Sequence, residues 1–142
     1  MLLKAGLNKA TAAREQDQPT DDPRVTDAFD QDQITSALKS AWSAKTSGGW
    51  LAHNPARGQC NVTALVVNEL FGGSILKTRL PEADHFYNWI DGQRFDFTAS
   101  QFAAPIAYAD MLSSRDEALA GTTEERYTAL KIAFGRAFET TR

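Results

Sequence analysis

The chain has 142 residues and a formal net charge of −3, from 15 Lys and Arg against 18 Asp and Glu. With 42% hydrophobic and 10% aromatic residues it holds enough apolar side chains for the core of one domain, which excludes a wholly disordered chain. The slight acid excess leaves no broad positive field for nucleic acid; one cysteine excludes an internal disulfide, no Cys/His spacing suits a closed zinc site, and no apolar run approaches the roughly 18 residues a membrane span needs.

Lys4 and Lys9 interrupt the first residues before an apolar signal segment develops, so a cytoplasmic location is expected. Within residues 1–30, the stretch Gln16-Asp17-Gln18-Pro19-Thr20-Asp21-Asp22-Pro23 has too little apolar surface to offset its ordering entropy. It reads as a mobile acidic leader, with a partner-binding arm as the alternative, and residues 31–142 read as a single folded domain. Ile34, Ala37, Leu38, Ala41 and Trp42 form the apolar stripe of a surface helix, with Asp30 or Asp32 as its N-cap and Ser47-Gly48-Gly49 beyond its end. A polar loop runs from Trp50 through Pro55 to Gly58.

A second helix is expected from Gln59 or Cys60 to Phe71. Val62, Ala64, Leu65, Val66, Val67, Leu70 and Phe71 cover most of its circumference, which marks a buried helix, and Gly72-Gly73 supplies its stop. Strands follow over 74–80, 85–90 and 94–98, the last two joined by Asp91-Gly92, a dipeptide suited to the two positive φ values of a type I′ turn. Residues 107–112 are read as a short helix. A final helix is marked by a capping box of Thr122 and Glu125 and an inner stripe of Tyr127, Leu130, Phe134, Ala137 and Phe138. The sum is an α+β domain: helices packed on a small antiparallel sheet, with a buried helix opening at the cysteine.

Cys60, His85 and Asp96, in that order, are the chemically informative residues. A helix N-terminus stabilises a thiolate, and its free N–H groups can hold a developing oxyanion. Against this, a free cysteine commonly only packs. If Asp91-Gly92 is a two-residue turn, Tyr87 lies opposite Asp96 and His85 opposite Thr98. His85 and Asp96 then share a face as diagonal neighbours, while Phe86, Ile90, Phe95 and Phe97, with Asn88 as the exception, take the other. In that arrangement the carboxylate orients the imidazole and the imidazole takes the thiol proton. His53, the other histidine, is the competing base. Gln59 either donates its amide to an oxyanion or ties down the loop. Gly48-Gly49 and Gly72-Gly73 lack the spacing of a phosphate-binding loop.

These residues sit in segments that resemble the bacterial YunG-like family of small proteins. The matching pieces are Gly58-Gln59-Cys60, Thr63-Ala64-Leu65-Val66-Val67, Phe71-Gly72-Gly73, His85-Phe86-Tyr87-Asn88, Asp91-Gly92, Asp96-Phe97-Thr98 and Gln101-Phe102, with Ser114-Arg115, Arg126-Tyr127 and Leu130 further on. The resemblance spans Ile34 to Phe138. More distantly, a cysteine opening a helix followed by a histidine and an aspartate on strands is similar to papain-like and transglutaminase-like thiol enzymes. That resemblance implies Cys60 as nucleophile, His85 as base and Asp96 as orienting acid, acting on a peptide or small amide without cofactor or metal. Gln59, Trp50, Tyr87 and Trp89 are the candidate substrate-binding residues. The competing expectation is a non-catalytic binding module on the same scaffold, with Trp50, Tyr87 and Trp89 lining its recognition surface. Neither nucleic acid nor membrane is expected as a partner.

Overall fold

The computed structural model describes residues 29–140, so the expected leader lies outside the described residues except for Phe29 and Asp30. Two compact units are distinguished, one of Gln31–Ile90 with the described residues from Arg94 on, the other including Asp91–Gln93. The elements are α1 (Gln31–Ala41), α2 (Cys60–Phe71), β1 (Ser74–Arg79), β2 (Asp84–Ile90), β3 (Gln93–Phe95), a 3-10 turn (Ala99–Gln101), β4 (Met111–Leu112), α3 (Arg115–Ala120) and α4 (Glu124–Thr140). The fold is α+β, with a four-stranded sheet ordered β3-β2-β1-β4. Strand β1 pairs antiparallel with both β2 and β4. No helix of the described residues is long and apolar enough to cross a membrane.

Helix α1 begins directly after Asp30 and buries Ile34, Ala37, Leu38 and Ala41, packing against α4. The Trp42 indole N–H donates to Thr63 Oγ1 at 2.9 Å, tying the end of α1 to α2. Helix α2 is buried without interruption from Val62 to Val67, as a run of apolar residues broken only by Thr63 demands. Its last turn leaves the interior, and Leu70, expected in the core, is 48% exposed. Past that turn, a Cβ on Gly73 would stand 2.2 Å from the Trp89 carbonyl oxygen, so the close approach of the chain to β2 requires glycine.

Register divides the residues of the sheet between its two faces. Ile75 pairs with Asn88 and Lys77 with Phe86, whereas Leu76 pairs with Tyr87 and Thr78 with His85; paired residues share a face. On the first face Ile75 and Phe86 join Cys60, Ala64, Leu65 and Ala118 in one apolar cluster beneath α2 and α3. Asn88, the polar exception on that face, donates from Nδ2 to the Ala64 carbonyl oxygen at 3.1 Å, so its burial is compensated. Leu65 is 1% exposed in this cluster. Leu65→Ala is expected to lower stability by about 2–5 kcal/mol, read from the urea unfolding midpoint.

Three local expectations are corrected. The third strand is shorter than 94–98, ending at Phe95. Residues 107–112 form no helix, because Ala109 N–H donates to Thr78 Oγ1 (2.8 Å) and Asp110 N–H to the Tyr87 hydroxyl (2.9 Å), and Met111–Leu112 then pair with β1. Those sheet-face oxygens outcompete a helical ladder. The final helix is capped by Thr123, whose Oγ1 accepts from Arg126 N–H at 3.1 Å; the Thr122 N–H is already committed to the Leu119 carbonyl oxygen at the end of α3.

Candidate functional site

Cys60 is the first residue of α2, and the first intrahelical bond runs from Thr63 N–H to the Gln59 carbonyl oxygen at 2.9 Å. The N–H groups of Cys60, Asn61 and Val62 therefore have no acceptor within the helix. Gln59, the N-cap residue, is wholly buried: its Oε1 accepts from Thr46 Oγ1 at 2.7 Å and its Nε2 donates to the Ser43 carbonyl oxygen at 3.4 Å. Its amide ties the helix start to the loop after α1, which is the loop-anchoring alternative of the two considered from sequence. The Cys60 thiol is 9% exposed at residue level and donates to Asn61 Oδ1 at 3.4 Å. Asn61 is held in turn by Nδ2 donation to the Ala118 carbonyl oxygen at 2.9 Å.

His85 is 2% exposed on β2. Its Nε2 lies 2.7 Å from Asp96 Oδ2, and the Cys60 thiol is among the groups that act on its titration. Burial disfavours the imidazolium, but the hydrogen bond and charge of Asp96, together with the Cys60 thiol, outweigh it, raising the His85 pKa from 6.5 to about 9. The edge of the Phe102 ring closes over the imidazole, with centroids 4.8 Å apart.

Asp96 reaches His85 from outside the ladder. Just past β3 the chain turns, and Asp96 Oδ1 accepts from both the N–H (3.2 Å) and the hydroxyl (3.3 Å) of Thr98. Such local bonds to an aspartate compete with strand pairing and explain why β3 stops at Phe95. Asp96 thus lies one residue past the strand expected to carry it, and its carboxylate still meets the same imidazole. The hairpin itself has the expected backbone, with φ of 51° at Asp91 and 77° at Gly92.

Sequence reasoning missed Tyr108. Its hydroxyl donates to Asp96 Oδ2 at 2.6 Å, the oxygen that also meets His85. Burial and the bond to Asp96 push the Tyr108 hydroxyl pKa well above its usual value, so it stays a donor. Arg94 lies over the Tyr108 ring at 4.3 Å and pairs with Asp110 through Nε (2.8 Å) and Nη2 (2.5 Å). No periodicity or motif marks Tyr108; only its place in an irregular segment folded back on the sheet brings it to the carboxylate.

The remaining sequence candidates scatter. Tyr87 is buried, and its hydroxyl is shared among Thr78 Oγ1 (2.7 Å) and the carboxylate and N–H of Asp110 (2.9 Å each). Trp89 is 37% exposed near the end of β2. Trp50 is half-buried, and its indole N–H is buried without a hydrogen-bond partner among the described residues. His53 is exposed in the loop before α2. Among the described residues no group of three His, Cys, Asp or Glu side chains is placed to hold a metal ion.

The family model described as YunG protein matches residues 30–139. Over 105 residues the chain is 49% identical to a Bacillus subtilis (strain 168) protein described as "Uncharacterized protein YunG", an alignment covering 74% of this chain and 91% of the relative. No solved structure matches the chain.

Proposed function

This chain belongs to the YunG family, and we propose that it is a thiol-dependent acyl-transfer enzyme, hydrolysing a peptide or small amide through Cys60, His85 and Asp96. The reading rests on one observation: the imidazole of His85, buried on β2, bonds the Asp96 carboxylate at 2.7 Å, with the Cys60 thiol at the start of α2 among the groups that act on it. The arrangement is of the papain-like and transglutaminase-like kind.

In the proposed reaction His85 takes the Cys60 proton and sulfur attacks the carbonyl carbon. The tetrahedral oxyanion accepts from N–H groups at the start of α2, since Gln59 is already spent on the loop. The C–N bond then breaks, and the amine leaves with the proton held on His85. Water attacks the thioester carbonyl, giving its proton to His85; the C–S bond breaks and the thiol is restored as a carboxylic acid departs. Asp96 fixes the imidazole orientation and stabilises its charged form throughout. Replacing water by an amine gives the transfer reaction on the same residues.

Alkylation by iodoacetamide at neutral pH tests the reading. Cys60 in the folded protein is expected to react at least about tenfold faster than free cysteine, as an activated thiol does. A thiol that stays inert until the protein unfolds would leave the binding-module reading in its place.

A further inference from the structure

A groove of about 260 Å³ lies beside the candidate site, lined by Ala99, Phe102, Ala103, Ala104, Ile106 and Tyr108, among others. Two of these walls belong to the site: Phe102 meets the His85 ring, and the Tyr108 hydroxyl meets Asp96. We propose that this groove holds an uncharged, apolar side chain of the amide substrate, next to the carbonyl that Cys60 attacks; the assignment rests on the acyl-transfer reading above.

Three observations support that occupant. Side chains of the lining residues are aliphatic or aromatic except for the Tyr108 hydroxyl, which already donates to Asp96. A charged group entering the groove would lose water and find no side-chain partner, a penalty an apolar group does not meet. The volume lies just below the roughly 300 Å³ at which small-molecule pockets begin, so it suits one side chain rather than a folded partner. The wall is also fixed in place. The irregular segment after Phe102 is pinned at its far end by Ala109 N–H to Thr78, Asp110 N–H to Tyr87, and Tyr108 to Asp96. A loop anchored this way on a sheet presents a preformed surface.

The test titrates the full chain, labelled at its Ala and Ile methyl groups, with N-acetylphenylalanine amide and separately with N-acetylaspartic acid amide, following methyl shifts by NMR. The methyls of Ala103, Ala104 and Ile106 are expected to move with the phenylalanine compound at millimolar concentration, and about tenfold more weakly or not at all with the aspartic acid compound. Ala104→Glu, at an exposed position where the fold tolerates change, is expected to abolish the phenylalanine shifts; Ala103→Glu provides a second variant. Absence of these shifts in the unaltered chain, equal response to both compounds, or shifts unaffected by both variants would overturn the assignment. Because this readout is binding, it is independent of Cys60 reactivity: an inert thiol with a selective groove contradicts the acyl-transfer reading alone, and a reactive thiol with a silent groove contradicts the pocket alone.

Discussion

His85→Ala is expected to slow alkylation of Cys60 by about a hundredfold or more at neutral pH, the usual contribution of a positioned base. Loss of the imidazole removes the positive charge that would stabilise a Cys60 thiolate, since His85 holds a proton up to about pH 9. His53→Ala provides the control. That residue is exposed in the loop before α2, so its loss is expected to leave the alkylation profile unchanged within about twofold. Rates measured across pH by mass spectrometry of the Cys60 peptide check both expectations. Equal effects of the two variants would contradict the assignment of His85.

The second large effect concerns stability. Asp96 and His85 are buried to 5% and 2% side-chain exposure and bond at 2.7 Å, so Asp96→Asn is expected to cost about 1.5–3 kcal/mol near neutral pH. It is also expected to change the pH dependence. A histidine whose pKa rises from 6.5 unfolded to about 9 folded stabilises the fold fully below pH 6.5, and that contribution is lost as pH rises through about 9. The urea midpoint of the unaltered protein should therefore fall between those pH values, and the Asp96→Asn midpoint should fall less. Parallel curves for the two proteins would show that Asp96 is not what holds the proton on His85.

The parts of the fold carried by local pattern were legible in the sequence. The stripe from Ile34 to Ala41, the apolar run from Val62 to Val67, and Asp91-Gly92 each fix structure through spacing or backbone preference, and each lies where expected. The pairing of His85 with Asp96 was also expected, but with Asp96 on the strand itself, whereas β3 ends at Phe95 and Asp96 lies just past it. Asp96 bonds Thr98 instead, and no alternation pattern encodes a carboxylate that leaves the ladder yet still reaches the next strand. Helix α3 was overlooked although its signal is local: Ser114 Oγ accepts from Glu117 N–H at 3.1 Å, the first half of a Ser-x-x-Glu capping box. Leu70 illustrates the limit of composition, since an apolar residue on a buried helix still emerges where the helix outruns its cover. Tyr108 and the groove beside it depend on long-range contacts of an aperiodic segment, and these exist only once the sheet has formed.

The most direct test of acyl transfer is capture of the acyl-enzyme. On mixing with p-nitrophenyl acetate, the protein is expected to release p-nitrophenol in a burst, with acetyl transiently attached to the peptide carrying Cys60 and then lost by hydrolysis. His85→Ala should suppress the burst and Cys60→Ser should eliminate the acetylated peptide. Absence of acetyl on Cys60, or acetylation no faster than in the unfolded chain, would contradict acyl transfer at this site.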